Sequence, residues 1–160
     1  MSAILHLVDR LTELVPSSRV RAVRAPSYGE QLFEDHFAGF PIVPGALMVE
    51  AMVQSAQWLA RASLGFPVAD FRMKKLERAV FSDYVRPGSV MEIDVEQSAP
   101  LTYRGTIRVA GKKAASARFE LERHDLDGSR LVVRRGMDRL EETFDRLGGP
   151  ALLGAGGREH

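Results

Sequence analysis

The chain contains no cysteine. This excludes disulfides and thiol catalysis, and it leaves a structural zinc site without its usual sulfur ligands. Histidine is scarce: His6, His36, His124 and His160 are the only four, and none is spaced as a ligand pair. No apolar run approaches the roughly 20 residues that span a bilayer. The opening MSAILHLVDR has no basic leader, and His6 and Asp9 interrupt its apolar run, so the reading is no signal peptide. Charge of one sign is missing too. The 22 Lys and Arg and 21 Asp and Glu leave a formal +1, which gives no electrostatic case for nucleic acid or a membrane surface. A soluble, cytoplasmic protein with neither partner is the expectation.

Apolar residues are plentiful, at 45% of 160 positions, enough for the core of one domain. Ile4, Leu7, Val8, Leu11 and Leu14 fit a helical stripe, with a strand as the rival because Pro16-Ser17-Ser18 reads as a turn into the alternating run Arg19–Arg24. Residues 25–44, with three prolines and two glycines, read as loop. From Gly45 to about Leu64 good helix formers dominate, with Pro44 at the entrance and Gly65-Phe66-Pro67 as the stop. Its apolar residues face every direction, the mark of a buried helix. Alternating strands are expected within 71–85, 90–96, 101–110 and 114–123. Asp127-Gly128 reads as a tight turn into a strand at Leu131-Val132-Val133, and Met137 to Leu147 as a short charged helix before a flexible tail. One long helix and a run of antiparallel strands make an α+β pattern, most economically a curved sheet wrapped around the helix, with open edges that a second copy could pair with.

Chemistry concentrates between His36 and Gln54. Glu50 is the only acidic residue between Asp35 and Asp70, and it sits in the most apolar helix. Burial of a lone carboxyl favours its protonated form and makes it a proton donor. Gln54, four residues on, shares its helix face. The plain alternative is a Glu reaching solvent or a polar neighbour. His36 ends a loop and titrates near neutrality, as a general base must, although a lone loop histidine is more often structural. Gly45 opens the helix, whose first N–H groups lack internal partners and carry partial positive charge. A thioester oxygen placed there would be polarised; an ordinary helix cap is the alternative. Together the three supply a base at Cα, a donor to a β-hydroxyl and a donor to a carbonyl, the parts needed to eliminate water from a β-hydroxyacyl group.

The motif His36-Phe37-x-Gly39-x-Pro41-x-x-Pro44-Gly45-x-Leu47-x-x-Glu50-Ala51-x-x-Gln54 resembles the signature of the FabZ-type 3-hydroxyacyl-[acyl-carrier-protein] dehydratases. Leu7-Val8-Asp9-Arg10 is similar to that family's first strand, which replaces the helix reading of the N-terminal segment. Glu30-x-x-Phe33, Phe71-x-x-x-Lys75 and Val85-x-Pro87-Gly88 extend the likeness over about residues 4–123. The resemblance implies a hot-dog fold and a dimer in which His36 of one protomer faces Glu50 of the other. It implies that His36 removes the Cα proton, Glu50 helps the hydroxyl leave, and Gly45, Phe37 and Gln54 contact substrate. No metal or other cofactor is implied. The acyl chain would ride on an acyl carrier protein in fatty-acid or polyketide-like synthesis. Residues 1–136 would form the dehydratase-like domain, and 137–160 a short helix and flexible tail.

Asp35 stands where the family has Gly and adds negative charge beside the base; Ala38 replaces the usual Pro. Both point to a specialised relative. Arg19, Arg21, Arg24, Arg72, Lys74, Lys75, Arg78 and Arg86 are candidates for docking an acidic carrier, with solvated strand faces the preferred reading for most. Two other functions compete: a hot-dog thioesterase using Glu50 to activate water, and a non-catalytic acyl-carrier-binding subunit.

Overall fold

The structure is a computed structural model describing residues 5–34, 39–64, 69–125 and 131–155, with backbone alone for 131–136 and 154–155. Six antiparallel strands form one sheet: β1 (Arg10–Val15), β2 (Arg19–Arg24), β3 (Ala69–Phe81), β4 (Met91–Ala99), β5 (Thr102–Val109) and β6 (Lys112–Asp125). Their spatial order is β1-β2-β4-β5-β6-β3. Helix α1 (Gly45–Leu64) crosses this sheet and touches β2, β3, β4, β5 and β6, so the sheet curves around it in the hot-dog arrangement.

The alternation read from sequence is the alternation of burial. Met91, Ile93 and Val95 of β4 point at α1 while Glu92 and Glu96 face out, the period-2 pattern of a sheet covered on one side. Tyr103, Gly105 and Ile107 of β5 continue that inner face. At Gly105 a Cβ would lie 2.6 Å from Sδ of Met52, so glycine lets the helix settle onto the strand. In β3 the alternation fails: Arg72 to Arg78 are all exposed, including Met73 and Leu76. Two register irregularities bend this edge strand along β6.

The N-terminal segment carries a strand and no helix, because it pairs with β2, but the strand runs Arg10–Val15, so of Leu7-Val8-Asp9-Arg10 only Arg10 lies in it. Leu7, Val8, Leu11 and Leu14 are core residues all the same. The chain end differs from expectation. Leu131-Val132-Val133 belongs to helix α2 (Leu131–Arg146), not a strand, and helix α3 (Gly149–Ala155) occupies part of the stretch read as tail. The apolar spacing Met137, Leu140, Phe144, Leu147 is helical, and it has a surface to cover. Phe144 stacks on Trp58 of α1 with ring centroids 5.5 Å apart. Leu147 O accepts a hydrogen bond from Leu11 N at 3.0 Å. The Asp127-Gly128 turn lies outside the described residues.

Candidate active site

Pro44 closes the loop and sets the helix start. Its carbonyl accepts from Leu47 N (3.0 Å) and Met48 N (3.2 Å). Among the described residues the N–H groups of Gly45 and Ala46 meet no acceptor, as expected of the first helical turn. The Phe81 ring, from the end of β3, packs on Gly45, and a Cβ there would lie 2.9 Å from two ring carbons. Glycine is thus the residue that allows β3 to press on the helix start while its amide stays open.

Glu50 lies one and a half turns further along, half-buried. Its Oε1 accepts from Nε2 of Gln54 at 3.2 Å, the i, i+4 contact expected from spacing. Gln54 is itself held: Nε2 donates to Leu5 O (2.8 Å) and Oε1 accepts from Leu7 N (2.8 Å). The amide that orients Glu50 is therefore locked by the N-terminal backbone. Among the described residues no donor meets Oε2 of Glu50, which leaves that oxygen for a proton or a substrate hydroxyl.

His36, Phe37, Asp35 and Ala38 lie outside the described residues. Their flanks are well held. Upstream, the buried Arg24 guanidinium pairs with Glu30 and, at 3.4 Å, with Asp9. Asp9 also accepts from Ala25 N (2.7 Å), Glu30 accepts from Ser27 N (2.9 Å), and Phe33 is buried. Downstream, Val43 N donates to Val85 O at 2.7 Å. This carboxylate–guanidinium–carboxylate array was not visible as a unit in the sequence; it needs the β1–β2 register to bring Asp9 to Arg24. A recess of about 10 Å³ lies between Leu7, Arg24, Phe33, Val43 and Leu47, far smaller than an acyl tail.

The candidate docking cations sort by what already engages them. Arg24 is buried and spent on Asp9 and Glu30. Arg19 and Arg21 pair with Glu13 and Asp94, Arg72 with Asp70, and Lys75 with Glu77. Lys74 and Arg78 are exposed on β3 with no ion pair among the described residues. Also among the described residues, no cluster of His, Cys, Asp and Glu is suited to hold a metal, and no helix is long and apolar enough to cross a membrane.

Residues 2–118 match the family model of the FabA-like domain. The chain is 35% identical over 130 residues to the 3-hydroxyacyl-[acyl-carrier-protein] dehydratase FabZ of Rhizorhabdus wittichii, spanning 74% of this chain and 83% of that one. The chain belongs to the FabZ-type dehydratase family. This FabZ relative also shares its fold with more distant structures. The dehydratase heterocomplex ApeI:P from Xenorhabdus doucetiae aligns over 68% of this chain and 91% of that one, with a TM-score of 0.56 at 14% identity. The fluoroacetyl-CoA thioesterase FlK aligns over 78% and 98%, with a TM-score of 0.58 at 18% identity. At such identities the likeness is of fold alone. For a FabZ relative the motif matters more, and of its described residues Gly45, Glu50 and Gln54 all stand on α1.

Proposed function

We infer that this chain is a lyase that removes water from a (3R)-hydroxyacyl thioester on acyl carrier protein, giving the trans-2-enoyl thioester in fatty-acid or polyketide-like synthesis. His36 takes the Cα proton. The open N–H of Gly45 holds the thioester oxygen as negative charge builds on it. Glu50 of a partner protomer gives its proton to the β-hydroxyl, which leaves as water. Phe37 would contact substrate, as the motif implies, and Gln54 holds Glu50 in place. The observation that carries the reading is Glu50 itself: one oxygen is fixed by a locked amide, and among the described residues the other is open.

Two features support a homodimer. Among the described residues the recess at the start of α1 is too small for an acyl tail, and the exposed Met73 and Leu76 of edge strand β3 are apolar surface that a second copy would cover. The assay is direct. Purified protein is given short and long 3-hydroxyacyl thioesters, and products are separated. Enoyl thioester supports the lyase. Free acid and thiol would instead identify a thioesterase, and no turnover in either direction a silent subunit. His36→Ala should abolish enoyl formation while the protein stays folded, since the sequence around it reads as loop; retained turnover would reject His36 as the base.

A further inference from the structure

Six residues, 39–44, are all the chain between the His36 loop and the helix amides. We propose that Phe40, Tyr84 and Arg86 form a surface latch that fastens this strap, the segment by which the chain joins His36 to the helix start. The proposal rests on the dehydratase reading, because it needs His36 to act.

One side of the latch is anchored to the sheet. Ser82 N and Asp83 N donate to Ala114 O of β6 at 2.7 and 3.2 Å. Asp83 accepts from Tyr84 N (2.9 Å) and pairs with Lys112 Nζ (2.9 Å). Val85 is buried, and its carbonyl takes Val43 N at 2.7 Å. The strap side joins this anchor through Phe40. Its ring meets Tyr84 edge-on, centroids 5.8 Å apart at 86°, the favoured aromatic geometry. The Arg86 guanidinium lies over the same ring at 4.8 Å, within cation–π reach.

Exposure separates this cluster from the core. Phe40 is 42% and Tyr84 68% exposed, so neither ring fills the interior. Rings that wet are held by directional contacts, and what they join is a short segment between two parts of the site. Small misplacements of reacting groups have large kinetic effects. If the rings served to bind the incoming acyl group, their loss would weaken KM; as a latch, their loss lowers kcat.

The test compares Phe40→Ala, Tyr84→Ala, the double variant and Tyr84→Phe, with His36→Ala as reference. In each alanine variant kcat should fall about 10- to 100-fold with KM changed less than about twofold. The double variant should match the worse single one, as expected of one device. Tyr84→Phe should behave as the parent, and thermal unfolding should not move. Amide exchange at residues 39–44, Val43 above all, should accelerate in both alanine variants. Unchanged kcat, a rise in KM alone, a fall in melting temperature that tracks the loss, or unchanged exchange each overturns the latch. Activity in His36→Ala overturns the dehydratase reading instead, and the exchange result still decides whether the strap is fastened.

Discussion

Gln54 fixes one oxygen of Glu50, which is only half-buried. With both N–H groups and its carbonyl in use, the amide cannot swing away, and the open Oε2 is aimed by the helix backbone. Glu50→Gln keeps the shape and an oxygen for Gln54 but removes the ionisable carboxyl. Turnover should fall by roughly 100-fold or more with thermal stability nearly unchanged; unaltered kinetics would remove Glu50 from the reaction. A second buried group tells a different story. Tyr103 is fully buried, its hydroxyl has no partner among the described residues, and burial pushes its pKa up to about 12 from 10.0. The unfolded chain gives up that proton first, so between about pH 10 and 12 Tyr103 makes stability fall as pH rises. Arg61 acts in the opposite sense, because burial, against the attraction of Asp70, lowers it to about 10. Tyr103→Phe isolates the phenol. It should gain about 1 kcal/mol at neutral pH by removing an unpaired hydroxyl, and the gain should grow at alkaline pH. Urea unfolding at both pH values measures this, and a neutral-pH loss would mean the hydroxyl is satisfied.

Helix α1 is apolar on all sides because three elements share it. The sheet takes one face, the N-terminal segment reaches Gln54, and the C-terminal helices take Trp58. That last contact holds a buried cation: the Arg61 guanidinium lies 4.9 Å from the Trp58 ring and 3.5 Å from Asp70. Gly149 starts α3 so close to Phe144 that a Cβ would overlap its ring. The extension is thus part of the packing around α1. Phe144→Ala should destabilise the protein by about 3 kcal/mol or more. Trp58 is the only tryptophan, so its emission should shift to the red as water reaches it; unchanged emission and stability would show that α2 is dispensable.

The whole molecule has two sheet edges, treated differently. At β1, Leu147 O takes the Leu11 amide and α3 lies alongside. At β3, both faces stay open from Arg72 to Arg78. The dimer proposed above uses this second edge. Leu76, 42% exposed in the single chain, can change without a cavity. Leu76→Asp should therefore leave the fold intact, shift sedimentation to the monomer and abolish turnover together. A monomeric parent protein, or an active monomeric variant, would sink the shared-site arrangement.

Local chemistry was enough for much of this protein. Helix formers between Pro44 and Gly65 set α1 at the expected residues, and period-2 alternation marked β4, β5 and β6, because propensity and patterning act within a few positions. The spacing from His36 to Glu50 was legible because the motif is continuous. Only tertiary structure decided that Asp9, Arg24 and Glu30 meet, that Phe81 packs on Gly45, that Phe40 finds Tyr84, and that Phe144 covers Trp58. Each pair is brought together by strand register or helix docking, and those are settled by the packing of the whole core.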